Sequence, residues 1–225
     1  LVYGLGVIIL ANLHRLKPAR FPALVVSVGN ITLGGTGKTT FVEYLSDKLI
    51  SAGKKVAVLS RGYKRDPHKP GSPGLGDEPA MLERKFPQLL VVVDKNRIRG
   101  AKAAIKDHAA DTLLLDDGLQ QWRIFKDLEI VTINALDPFG NGLLLPRGFL
   151  REPLTALKRA DIFVLTQVDL VSETNLLIDK LKSINSRALI VESVHKPVGF
   201  TSVDKENEFL TLDTLRGKQV AVFSG

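Results

Sequence analysis

The 225-residue chain contains no cysteine. Disulfide scaffolds, thiolate metal sites and cysteine nucleophiles are therefore excluded. Aromatic residues make up only 6%, with a single Trp, and no run of Lys or Arg is interleaved with them. That removes the usual signature of a nucleic-acid platform, and no nucleic-acid partner is expected. No hydrophobic run reaches the roughly 20 residues of a spanning helix. The longest, Leu1–Leu13, is followed by His14, Arg15, Lys17 and Arg20. No stretch is polar enough over a long span to imply disorder. Acid is missing from the first part of the chain: no Asp or Glu precedes Glu43.

Hydrophobic residues make up 44% and charged residues 24%, which suits one large α/β domain with a buried core. The net charge is +7. A basic surface of this size aids solubility, and its N-terminal concentration also favours anions: nucleotide, phosphorylated substrate or anionic lipid. An apolar segment with a basic flank fits the anionic cytoplasmic face of a membrane. Residues 1–22 are therefore expected to form a membrane-associated segment, peripheral or N-terminally anchored, and residues 23–225 a nucleotide-binding domain. The chain begins at Leu1 without Met and stops at Phe223-Ser224-Gly225, so it is read as part of a longer protein.

Short apolar runs alternate with amphipathic stretches from Leu24 onward. Leu24–Val28, Val56–Ser60, Leu89–Val93, Thr112–Leu115, Leu128–Ile133, Ile162–Thr166, Leu189–Val194 and Gln219–Phe223 read as strands. Lys38–Ala52, Asp77–Lys85, Asn96–His108 and Asn175–Lys182 read as helices. Nearly continuous Val/Leu/Ile runs belong to strands buried on both faces of a parallel sheet. The expected fold class is α/β, a doubly wound, mostly parallel sheet with right-handed crossovers. Two long loops, Arg61–Gly76 and Asn134–Pro153, fall at carboxyl ends of strands, where open sheets bind ligands.

The first strand runs into Gly29-Asn30-Ile31-Thr32-Leu33-Gly34-Gly35-Thr36-Gly37-Lys38-Thr39, followed by Thr40 and a helix. Such a loop closes backbone N–H groups around phosphate. ATP is expected along Thr32, Leu33, Gly34, Gly35, Thr36, Gly37, Lys38, Thr39 and Thr40, with Lys38 on the phosphate oxygens and Thr39 toward Mg²⁺. Thr32 departs from the usual first Gly of the pattern, and Leu33 replaces the extra Lys of dimeric ATPases of the nitrogenase iron-protein type. The strand Thr112–Leu115 ends in Asp116-Asp117, and Asp116, directly after the strand, is the expected Mg²⁺ partner. Gly76-Asp77-Glu78-Pro79 opens a helix. Asp77 reads as an N-cap or as a carboxylate for an acceptor hydroxyl, and spacing favours the cap.

Six segments in order carry a resemblance: Ser27–Thr39, Ser60-Arg61-Gly62-Tyr63, Gly76–Pro79, Asp116-Asp117-Gly118-Leu119-Gln120, Leu145-Pro146 with Leu150-Arg151-Glu152-Pro153, and Phe223-Ser224-Gly225. Together they resemble the tetraacyldisaccharide 4′-kinase family of lipid A biosynthesis. The resemblance implies ATP, Mg²⁺, a lipid A disaccharide precursor already phosphorylated at its other end, and the cytoplasmic face of the bacterial inner membrane. It implies that Asp77 acts on the acceptor hydroxyl, that Lys38 is catalytic, and that Asp116 works at the metal. It places Arg61, Tyr63, Glu78, Asp117, Gln120, Arg151 and Glu152 near acceptor or phosphates. The family's partner for Asp77 is a His of a smaller C-terminal lobe, which His14, His68, His108 and His195 do not match. Gln121, Arg147 and Phe149 also depart from the family's usual residues. One rival reading is a GTP-binding switch, because Thr166-Gln167-Val168-Asp169 resembles a guanine-reading motif, with Gln167 in place of its Lys.

Overall fold

The computed structural model describes residues 6–7, 11, 13, 17–61, 77–202 and 209–221, apart from the side chains of Asp77 and Glu78. Seven strands build one sheet: β1 (Leu24–Gly29), β2 (Val56–Ser60), β3 (Leu90–Val93), β4 (Thr112–Asp116), β5 (Leu128–Asn134), β6 (Ile162–Thr166) and β7 (Leu189–Glu192). Their order is β3-β2-β4-β1-β5-β6-β7 and every pairing is parallel. Helices α1 (Lys38–Ser51), α2 (Asp77–Lys85), α3 (Arg97–His108) and α4 (Asn175–Ile184) lie in the crossovers. The expected doubly wound α/β architecture is therefore present.

Alternation along the strands divides the core between the two faces. On one face Val26, Val28, Val58, Leu114 and Ile130 pack with Val42 of α1, with Leu82 of α2 and with Phe86 just after it. On the other, Val25, Leu59, Leu113 and Leu115 pack against Ala101 and Ala104 of α3. Farther along that second face, Val131, Ile133, Phe163 and Leu165 meet Leu157 and Leu181. Small alanines let α3 approach closely, while branched residues fill the strands.

This layout puts the switch in chain direction at the middle of the sheet. From β1 the chain winds out through β2 to β3, then returns to insert β4 beside β1 and continues through β5, β6 and β7. The carboxyl ends of β1 and β4 thus stand side by side, with Val28 opposite Asp116. Ligands of open α/β sheets gather at such an edge.

One sequence expectation changes, in the second of two compact units, Leu1–Ser193 and Val194–Gly225. The second unit holds an antiparallel pair, Phe200–Thr201 with Phe209–Leu210, and a 3-10 turn at Leu212–Leu215. Gln219, Val220 and Ala221 are not in a strand, and the rest of the expected Gln219–Phe223 strand lies outside the described residues. Strand propensity alone does not suffice without a paired neighbour, and residues 219–221 pair with no strand among the described residues. Among the described residues no helix is long and apolar enough to cross a membrane.

Candidate phosphate site

The loop after β1 is held open by its neighbours. Asn30 is fully buried, and its amide donates to the Thr32 carbonyl at 2.8 Å. Thr32 bridges Leu150 antiparallel, Leu33 N–H donates to the Phe149 carbonyl at 2.8 Å, and Arg151 N–H donates to the Ile31 carbonyl at 2.8 Å. The end of the second long loop is therefore laced to the phosphate loop like a short strand. Leu33, Gly34 and Gly35 face solvent, whereas Thr36 is buried. Gly37 takes a left-handed conformation (φ 74°) at the start of α1, as an unbranched backbone can at low cost. No acidic side chain occupies the first turn of α1. The first amides of a helix lack intrahelical acceptors and carry the positive end of its dipole, so Lys38, Thr39 and Thr40 present an anion site.

Charged groups converge on this turn. Arg151 donates to Asp117 through two parallel bonds, Nη1–Oδ1 at 2.6 Å and Nη2–Oδ2 at 2.9 Å. The Arg151 Nη1 also reaches the Asn30 side-chain oxygen at 3.2 Å. Lys38 Nζ stands 4.0 Å from the same Asp117 carboxylate. Burial alone would raise the Asp117 pKa, but the Arg151 bonds and charge, with Lys38 and Arg97, outweigh it and hold it below 3.8. Asp117 sits at φ 56°, a conformation that Asp tolerates better than most residues, and this turns it off the line of β4. Asp116 is 9% exposed at the strand tip itself.

Sequence reasoning missed Arg97. It is 4% exposed, and its two Nη atoms donate to the Asp94 carbonyl at 3.1 Å and the Asp116 carbonyl at 3.3 Å. Burial lowers its pKa to about 10, opposed by the charges of Asp116 and Asp117 and assisted by that of Arg61. It remains a cation at neutral pH, clamped behind the carboxylates. The Asn96-Arg97 pair reads in sequence as an ordinary helix start, and Asn96 does cap α3 by accepting from the Arg99 N–H at 3.2 Å. Only the approach of β3 and β4 buries the arginine.

Not all the expected contacts converge. Glu152 is 2% exposed and pairs with Arg159 through two bonds, 2.8 and 2.9 Å, so it is not presented to an acceptor or phosphate. The chain bends at Arg151 and Glu152, and the two side chains take different partners, Asp117 for Arg151 and Arg159 for Glu152. Gln120 donates to Glu152 at 3.1 Å and to the Asn30 carbonyl at 3.2 Å, linking that interior pair to the phosphate loop. Arg61 is exposed at the end of β2. Asp77 and Glu78 open α2 on the carboxyl side of the sheet, and Tyr63 lies outside the described residues.

A glycine-rich turn between a central strand and a helix, with a carboxylate on the adjacent parallel strand, defines the fold and site of a P-loop NTPase. Residues 1–225 match the family model described as Tetraacyldisaccharide-1-P 4'-kinase. The chain belongs to the tetraacyldisaccharide 4′-kinase family. A Tetraacyldisaccharide 4'-kinase of Halothermothrix orenii is 37% identical over 250 aligned residues, which cover 100% of this chain and 65% of that protein. The chain thus spans less than two thirds of that relative's length. The "apo" form of LpxK from Aquifex aeolicus, solved in complex with ATP, is similar with a TM-score of 0.74 at 29% identity, covering 97% of this chain and 69% of that one. Hydrogenase maturation factor HypB from Archaeoglobus fulgidus shares the fold alone: TM-score 0.52, 15% identity, 77% and 82% covered.

Proposed function

We propose that the whole protein transfers the γ-phosphate of ATP to the 4′-hydroxyl of a tetraacyldisaccharide 1-phosphate, and that this chain carries its nucleotide site. The observation that carries the reading is the meeting of Lys38, Asp117 and Arg151 at the N-terminus of α1, one strand from Asp116. Family membership supplies the acceptor class.

Oxygen donors suit Mg²⁺, which keeps several waters and takes few protein ligands. A hydroxyl from Thr39 and a carboxylate oxygen from Asp116, on neighbouring elements, are such a donor set, and they would hold the ion. When bound, the ion supplies charge neutralisation at the phosphates. Backbone amides from Leu33 to Thr40 bind the phosphate chain, and Lys38 offsets charge that develops on the transferred group. Asp117 holds Lys38 and Arg151 in position. Asp77 receives or orients the proton of the acceptor hydroxyl, and a His in the further third of the family's length assists it.

Exposed Lys17 and Arg20 belong to the face proposed to meet anionic lipid at the cytoplasmic side of the inner membrane. Charge reversal at both should weaken sedimentation with anionic vesicles, and unchanged sedimentation would remove them from that role.

The deciding experiment is transfer of labelled γ-phosphate from ATP to the disaccharide monophosphate, with the full-length protein in detergent. Mg²⁺-dependent transfer that disappears in Lys38→Ala is expected. Nucleotide binding without transfer would refute the acceptor assignment.

A further inference from the structure

Three buried hydroxyls stand behind the phosphate loop, and neither the loop motif nor the family reading uses two of them. Thr132 lies in the middle of β5 and is fully buried; Thr166 ends β6 and is 5% exposed. Thr132 follows Ile130-Val131 and precedes Ile133, and Thr166 closes the apolar run Ile162–Leu165. Both point to one residue, Thr36, which is 4% exposed although it belongs to the loop.

The hydrogen bonds tie all three together. Thr132 Oγ1 lies 3.3 Å from the Gly29 carbonyl, to which it donates. Thr36 Oγ1 and Thr132 Oγ1 share a hydrogen bond of 2.8 Å, for which either hydroxyl can supply the proton. Thr166 Oγ1 donates to the Thr36 carbonyl at 3.2 Å, sharing its proton with the Ile133 carbonyl at 3.4 Å. The hydroxyl and the carbonyl of Thr36 are thus both engaged by strand residues. The methyl of Thr166 adds a steric stop, because it lies 3.2 Å from where a Cβ on Gly37 would stand.

We propose that Thr132 and Thr166 are positioning residues for nucleotide phosphates: from β5 and β6 they fix the Thr36–Gly37 peptide, which sets the left-handed turn into α1 and the aim of the loop amides. The proposal rests on the nucleotide-site reading above and assigns these residues no contact with the nucleotide. Its physical basis is preorganisation. A glycine-rich loop is costly to order, and a loop already ordered by buried hydrogen bonds spends less of its binding energy on that step. Every bond of the brace is buried, so removing one hydroxyl leaves a partner without a mate.

The test compares Thr132→Val, which keeps shape and removes the hydroxyl, with Thr132→Ser, which keeps the hydroxyl. Binding of ATP, ADP and pyrophosphate is measured without acceptor, well below each variant's melting temperature. The Val variant should bind all three about tenfold more weakly, and the Ser variant should stay near the unaltered protein. An equal loss for pyrophosphate shows that the effect acts on the phosphates rather than the base. Thr166→Val should behave like Thr132→Val, and it decides the matter if Thr132→Val does not fold. Folded Val variants that bind like the Ser variant would overturn the brace while leaving the nucleotide site intact. Absence of nucleotide and pyrophosphate binding in the unaltered full-length protein would overturn the nucleotide-site reading and the brace with it.

Discussion

Arg151 and Asp117 form a bidentate pair, 2.6 and 2.9 Å, beside a P-loop lysine 4.0 Å from the same carboxylate. The two residues are 34 positions apart, brought together because residues 149–151 pair with the phosphate loop. Planar, two-point pairing fixes orientation as well as charge. Arg151→Lys keeps the charge but loses the second bond. It should lower turnover more than it lowers thermal stability, since Asp117 and Lys38 lose a fixed partner at the loop mouth. Parallel steady-state kinetics and melting curves check this, and wild-type turnover would contradict it.

The Asp117 pair also has a pH signature. Its folded pKa lies below the ordinary 3.8, so its stabilising effect is fully present above that value and fades as pH falls through the lowered one. The side chain is 39% exposed, so screening keeps the effect small. Asp117→Asn should therefore narrow its stability gap to the unaltered chain on acidification from about pH 6 to about pH 3. A gap that widens on acidification would reverse the assigned sign.

The parallel sheet was legible in the sequence because its strands are buried on both faces and read as unbroken apolar runs. The phosphate loop was legible because strand, glycines, Lys38 and helix follow one another without interruption. What stayed hidden depends on contacts distant in sequence. Arg97 looks like any helix arginine until β3 and β4 bring the Asp94 and Asp116 carbonyls to it. Thr132 and Thr166 had a signal, a hydroxyl next to apolar strand residues, but not its partner. Glu152 was expected near acceptor or phosphates from the resemblance, and its pairing with Arg159, seven residues on, is a contact that the motif does not show.

Arg97 supports the tip of β4 from behind. Arg97→Met should destabilise the fold by about 2 kcal/mol, because the Asp94 and Asp116 carbonyls lose their buried donor. Turnover should fall with it, since the β4 tip carries the carboxylate pair. Urea denaturation measures the first effect and phosphate transfer the second. A loss of activity with unchanged stability would place Arg97 in contact with substrate instead.

Asp77 begins α2, and the kinase reading gives it the acceptor's proton. Asp77→Ala in the full-length protein should abolish most turnover and leave ATP affinity within about twofold, because loss of a general base acts on the chemical step. If ATP affinity collapsed while turnover at saturation survived, the residue would belong to the nucleotide site.

Glu152 and Arg159 separate an interior role from a ligand role. The Glu152 side chain is 2% exposed and that of Arg159 is 15%, and the guanidinium also reaches the Leu119 carbonyl at 3.3 Å. Glu152→Ala leaves a cation in a site built for a pair, which typically costs about 3–5 kcal/mol. Replacing both, Glu152→Leu with Arg159→Leu, removes the unpaired charge along with the pair, so the double variant should be more stable than Glu152→Ala. A cycle of Glu152→Leu, Arg159→Leu and the double variant, followed by urea denaturation, should give strong positive coupling. Through Gln120 the pair also holds the Asn30 carbonyl, so the loop is expected to loosen in the single variants and the KM for ATP to rise. The KM for the acceptor should change little. Additive stabilities, or a rise confined to the acceptor KM, would return Glu152 to the acceptor site that the family resemblance implied.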